Sequence, residues 1–194
     1  METSSKRVDT ALLIMDIQPA TMQMLDGPAG AAPLVSALQR AIGAARAAAI
    51  PVIYVIVGFR KGFPEVGPFN KGFSALTRGA GFPGLENPEV DAVVAPRPGD
   101  IVVTKRRVSA FAGSDLEVIL RARRIDHLVL TGIATSGVVL STLREAADRD
   151  YGLTVISDAC ADRDAEVHSV LLGKVFPRQA DVLTAAEWAA ALGK

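Results

Sequence analysis

The chain reads as a three-layer α/β/α fold around one mostly parallel sheet, and three observations support this. Short apolar runs alternate with helical patterns along most of its length. Each run is apolar throughout, as a strand buried on both faces must be. Charged or glycine-rich segments stand directly after several runs, at the carboxyl ends where such sheets gather chemistry.

Taken in order, residues 11–15 form the first expected strand and residues 33–49 an alanine-rich helix. Residues 52–57 follow as a second strand opened by Pro51, which is tolerated at a strand's first residue. Further strands are expected at 101–103, 127–130, 154–156 and, shorter, 181–183, with helices at 115–124, 136–149, 164–176 and 185–192. Two helix starts, Ser114 with Glu117 and Thr184 with Glu187, fit the capping box, in which hydroxyl and carboxylate satisfy free amides reciprocally. A Rossmann-like strand order of 3-2-1-4-5-6 makes the first and fourth strands neighbours at the switch point, where a crevice opens.

The 194 residues suffice for one domain with a sizeable core, so residues 1–194 are read as a single unit. With 21 basic and 21 acidic residues and no dense basic run, the chain lacks the attraction that drives nucleic-acid binding. A small-molecule ligand is expected instead. No apolar run reaches membrane-spanning length, and the polar start at residues 1–10 does not read as a secretory signal. One cysteine excludes an internal disulfide, so a cytoplasmic location is expected.

Residues 58–99 differ in kind, with no clean periodicity but five of the seven phenylalanines, Phe59, Phe63, Phe69, Phe73 and Phe82. So long a loop reads as a pocket wall or lid, or as an aromatic mini-core beneath the loop, and the two are compatible. Within it, Gly79-Ala80-Gly81-Phe82-Pro83-Gly84 matches the dinucleotide fingerprint but lacks the strand before and helix after that the mechanism requires. No cofactor is expected. His127 and His168, the only histidines, have no metal-ligand spacing and one cysteine builds no closed site, so no metal is expected either.

Asp16 ends an apolar strand, where a carboxylate is either functional or a structural cap. Lys105 opens the run Lys105-Arg106-Arg107, either a solvated face or the continuation of a strand into the crevice. After the fourth strand, Gly132-Ile133-Ala134-Thr135-Ser136-Gly137-Val138 leads into a helix whose first amides and dipole would favour an anion, with Thr135 or Ser136 as cap.

The segments Leu12-Leu13-Ile14-Met15-Asp16-Ile17-Gln18, Thr104-Lys105-Arg106-Arg107-Val108-Ser109-Ala110-Phe111, Thr131-Gly132-Ile133-Ala134-Thr135 and Val155-Ile156-Ser157-Asp158-Ala159-Cys160-Ala161-Asp162 resemble the isochorismatase-like, or cysteine hydrolase, family. The resemblance covers most of the chain and is weakest between Gly58 and Pro98. It implies a homo-oligomer, a dimer or higher, with the Phe-rich loop as candidate contact surface, and a triad of aspartate, lysine and cysteine that maps onto Asp16, Lys105 and Val138. Valine has no proton to lose, so the family's covalent thioester route is absent at that position.

True isochorismatases, by the same resemblance, carry glycine there and hydrolyse a vinyl ether with the aspartate as proton donor. This implies non-covalent hydrolysis of a vinyl ether or C–N bond by Asp16 and Lys105. Gln18, Ala134, Thr135, Ser136, Phe59 and Arg60 are the expected substrate contacts, with Lys61 and Arg78 as further cations for an anionic substrate. The Ala134-Thr135-Ser136 stretch is closer to the family's amidase-like branch. Two alternatives stand beside this reading: a binding or regulatory protein that has lost catalysis, and catalysis through Cys160 or Ser136.

Overall fold

In the computed structural model the described residues are 10–25, 27–77 and 83–193. Arg78, Phe82, the polar start and most of the 79–84 glycine motif lie outside them. Six strands form one sheet in the order β3-β2-β1-β4-β5-β6. They are β1 (Thr10–Met15), β2 (Val52–Val57), β3 (Ile101–Lys105), β4 (His127–Ile133), β5 (Gly152–Ala161) and β6 (Asp181–Leu183). Every neighbouring pair is parallel, as the expected order requires.

The helices are α1 (Pro19–Met22), α2 (Gly27–Ala47), α3 (Lys71–Leu76), α4 (Leu116–Ala122), α5 (Leu140–Ala147), α6 (Ala165–Val170) and α7 (Ala185–Leu192). Successive β1 side chains point to opposite faces, which splits the core in two. Leu13 and Met15 pack with Leu116 and Leu120 of α4 and Leu143 of α5. Leu12 and Ile14 pack with Leu38 and Ala41 of α2 and Trp188 of α7. Each fully buried leucine contributes about 2 kcal/mol, so the β1 sequence alone commits the strand to a central position. No described helix is long and apolar enough to cross a membrane.

Three strands run further toward their carboxyl ends than apolar patterning alone indicates. β3 reaches Lys105, β4 reaches Ile133 and β5 reaches Ala161. Backbone pairing continues through polar residues because the ladder needs only peptide groups. Between Leu130 and Gly132 the register of β5 jumps from Val155 to Cys160, so β5 carries extra residues there as a bulge. Asp158 uses the bulge to accept the Ala185 N–H, fixing the start of α7.

Local signals are met unevenly. The Thr184 and Glu187 capping box forms in full. The other does not: Ser114 accepts the Leu116 N–H, while the Glu117 carboxylate pairs with Arg121 and the Tyr151 hydroxyl. The expected helix 164–176 is α6 followed by a π-turn (Leu171–Val175) and a 3-10 turn (Phe176–Arg178). Helix α2 begins before Pro33, which sits inside it and lacks an N–H to donate.

Candidate active site

Backbone geometry at the switch point brings the ends of β1 and β4 together. Asp16 adopts a left-handed conformation, φ 53°, which turns it out of the sheet. Its N–H still donates to the Val55 carbonyl at 2.8 Å, so the turn is anchored to β2. On the facing strand Gly132 has φ 141°, and a Cβ there would stand 2.2 Å from the Met15 carbonyl oxygen. Only glycine permits this approach.

Lys105 is paired in register with Val57 and is 1% exposed. Its ammonium lies 2.9 Å from Asp16 Oδ2 and donates to the Arg107 and Val108 carbonyls at 3.0 Å each. Three protons thus meet three acceptors. Asp16 Oδ1 is also buried and has no hydrogen-bond partner among the described residues. Burial pushes the Asp16 carboxyl above the usual carboxylate range, outweighing the opposing pull of Lys105.

Asp16, Lys105 and Val138 line one cavity of about 190 Å³. Thr21 and Met24 close one side, and Phe73, Leu76 and Leu85 close another, with Val57, Val108, Ile133, Ala134 and Gly137 completing the wall. The segment 58–99 therefore supplies both expected features. Phe59, Phe73 and Leu85 form a small core with Val57, and Phe73 and Leu85 from that core face the cavity. Phe59 stands behind Phe73 with ring centroids 5.2 Å apart and does not reach the cavity.

The other expected contacts are distributed differently. Ala134 faces the cavity; Thr135 and Ser136 do not line it. Thr135 is fully buried and its hydroxyl lies 2.8 Å from His168 Nδ1, while the Ser136 N–H donates to Asp162 Oδ2 at 2.7 Å. Asp162, rather than Thr135 or Ser136, holds the π-turn Thr135–Val139 that leads into α5, and the Thr135 hydroxyl is turned toward α6. Burial lowers the His168 pKa, with Asp162 acting against it. Gln18 is spent on β2, accepting from the Val57 N–H at 2.8 Å and donating to its carbonyl at 3.2 Å. Arg60 pairs with Glu65 at 2.6 Å, away from the cavity.

Cys160 faces a second cavity of about 380 Å³ with Ser157, Asp162 and His168, on the other side of the β4 end. It is buried in the core, and that burial pushes its thiol up to about 12. His127 lies 2.9 Å from the Thr154 hydroxyl. Among the described residues no group of three or more His, Cys, Asp or Glu is placed to hold a metal ion.

The Isochorismatase domain model matches residues 10–187, which includes every strand and the whole cavity. The chain belongs to the isochorismatase family. An isochorismatase family protein from Burkholderia thailandensis superposes with a TM-score of 0.83 at 32% identity, covering 96% of each chain. An uncharacterized family protein of Escherichia coli, YecD, is 33% identical over 184 residues, 92% of this chain and 93% of the relative. A ureidoacrylate amidohydrolase, RutB, of Variovorax paradoxus is 36% identical over 171 residues, 78% of this chain and 68% of the relative. The resemblance seen in the strand-end motifs thus extends over this isochorismatase-family chain as a whole.

Two site features escaped the sequence reading. Asp162 and His168 are the groups that engage the helix start, and the one signal for Asp162 was its position directly after β5. For His168, on α6, nothing in the local sequence marks a partner in Thr135.

Proposed function

We propose that this chain hydrolyses a small molecule without a covalent intermediate, with Asp16 as the general acid and base and Val138 standing where relatives carry their nucleophile. The observation that carries the reading is the Asp16 carboxylate, which is buried, lines a mainly apolar cavity and has one oxygen, Oδ1, without a hydrogen-bond partner among the described residues.

Lys105 holds the second oxygen and fixes the carboxyl plane, so Oδ1 is the atom that exchanges a proton with substrate. The raised pKa of Asp16 favours the protonated form needed for acid catalysis. With a vinyl ether, the proton on Asp16 passes to the terminal alkene carbon and leaves an oxocarbenium ion. Water adds to that ion, returns a proton to Asp16, and the hemiketal collapses to a carbonyl compound and an alcohol. With a C–N bond, Asp16 takes a proton from the attacking water and returns it to the leaving nitrogen. Neither route uses a thiol. The family relationship and the amidohydrolase among the relatives support hydrolysis as the reaction type.

A catalytically lapsed binding protein on the same scaffold is the second reading, favoured by Val138, which is 2% exposed and offers the cavity only methyl groups. Catalysis through Cys160 has less support, because its thiol is buried in the core and faces the other cavity. Product formation followed by mass spectrometry on vinyl ethers and primary amides separates these readings. Turnover by wild type that falls about 1000-fold in Asp16→Asn is expected for the acid-base hydrolase. No turnover by folded wild type, with ligand-induced thermal stabilisation retained, would establish the binding role.

A further inference from the structure

Among the described residues, the cation that lines the Asp16 cavity and the guanidiniums near it are committed within the protein. The three Lys105 protons go to Asp16 and to two carbonyls. At the helix start beside Val138, the Ser136 N–H is held by the Asp162 carboxylate, and the Gly137 and Val139 N–H groups both donate to the Ala134 carbonyl. The nearby guanidiniums are taken as well. Arg60 and Arg106 pair with Glu65, Arg106 also donates to the Gly58 carbonyl, and Arg107 donates to the carbonyls of Arg106 and Glu65. Lys105 is the one cation among the described residues that line the cavity.

The one hydroxyl at the wall is spent too. The Thr21 hydroxyl donates to the carbonyls of Asp16 and Gln18 and accepts the Gln18 N–H. The wall presented to a ligand is largely apolar, with Phe73, Leu76, Leu85, Val108 and Val138 around the Asp16 carboxylate. A carboxylate placed there would lie beside Asp16 with no lining cation among the described residues except Lys105, which Asp16 already holds, and this costs several kcal/mol.

We infer that the substrate of this cavity is a small uncharged molecule with an apolar end, which presents its reacting group to Asp16 and rests its hydrocarbon against Phe73, Leu76 and Val138. This deepens the hydrolase reading and rests on the same cavity being the substrate site. At about 190 Å³ the cavity admits a ligand of roughly six to ten non-hydrogen atoms, since a 150 Å³ apolar cavity is known to hold a benzene ring. The class differs from an acrylate, the anion in the substrate named for the relative RutB.

Two probe pairs that differ only by a methyl group replaced with a carboxylate test this: butyramide against succinamate, and ethyl vinyl ether against vinyloxyacetate. Expected is a preference in kcat/KM of about 100-fold or more for the neutral member of whichever pair is turned over, corresponding to about 2.7 kcal/mol. Equal or better turnover of the carboxylate would overturn the inference. If wild type turns over neither pair, the melting temperature is read with each probe at about 100 mM. Stabilisation by the neutral members alone then upholds the ligand class while the hydrolase reading fails. Stabilisation by the carboxylates, or by no probe, overturns the ligand class. A third measurement supplies the missing charge. Leu76 is partly buried at the cavity wall, and Leu76→Lys, its folding checked by its melting temperature, is expected to raise the carboxylate-to-neutral ratio at least tenfold. An unchanged ratio in that folded variant would show that the lack of a cation does not set the preference.

Discussion

The turn after β4 presents two different chemistries on its two sides. Ala134, Gly137 and Val138 face the Asp16 cavity and offer it little but hydrocarbon. Thr135 and Ser136 face the other way, where the Thr135 hydroxyl meets His168 and the Ser136 N–H meets Asp162, next to the cavity that contains Cys160. The polar groups of the turn therefore serve to hold it in place. The charged groups on the cavity side come from other strands, Asp16 from the end of β1 and Lys105 from the end of β3. Neighbouring residues of this short segment differ in environment, because the turn directs Thr135 and Ser136 to one wall and Ala134, Gly137 and Val138 to the other.

The largest effect that would sharpen this comparison is expected on the cavity side from Lys105→Met. It leaves the Asp16 carboxyl buried without its cation, and chemical denaturation should show a loss of about 3 kcal/mol at neutral pH, with partial recovery as the pH falls and Asp16 becomes protonated. Unchanged stability would mean that the pair is not buried as described. Gly132→Ala comes next, because its Cβ collides with the Met15 carbonyl at a backbone angle that L side chains rarely adopt. A loss of roughly 2 kcal/mol, together with reduced ligand binding, is expected from thermal melts.

Thiol chemistry compares the two walls directly. In Val138→Cys the new thiol opens on the Asp16 cavity, whereas Cys160 is held in the core with its pKa pushed up to about 12. Iodoacetamide should label the introduced thiol at least tenfold faster than Cys160 at pH 8, read by peptide mass spectrometry. Equal rates would break the comparison.

The smallest effect belongs to the holding side. His168→Gln is expected to cost roughly 1 kcal/mol through the weakened bond to Thr135. The wild-type pKa of His168 lies below the ordinary imidazole value of 6.5, so between the two values the unfolded chain binds the extra proton. Stability should therefore fall as the pH drops through that window, and His168→Gln should flatten part of the slope. His127, lowered for the same reason, would account for the remainder.

Much of the site was legible in the strand-end residues. Asp16 after Leu12, Leu13, Ile14 and Met15 and Lys105 after Val102 and Val103 stand where parallel strands deliver side chains to a crevice, and the cavity contains both. The environment of Gln18 and Arg60 was not legible. Each is a polar residue close to the site in sequence, and each is consumed by a partner, the Val57 backbone or Glu65, that the fold brings alongside. The 58–99 segment carried no periodic signal because its order comes from Phe59, Phe73 and Leu85 meeting Val57, contacts spread over many residues rather than repeated at a helical or strand spacing.

From its sequence alone the chain determined its strands, their parallel arrangement and the identity of the residues at the sheet's carboxyl edge, including a valine rather than a thiol at position 138. Hydrophobic period and strand ends are local properties, and the order of residues along the chain encodes them. Only the tertiary structure decided which charges were left over. It joined Lys105 to Asp16, gave Asp162 to the turn before α5 and Glu65 to the guanidiniums, and left one oxygen of the cavity-lining Asp16 without a partner among the described residues. Pairing of charges depends on distances of about 3 Å between elements far apart in the chain, and sequence order does not record such distances.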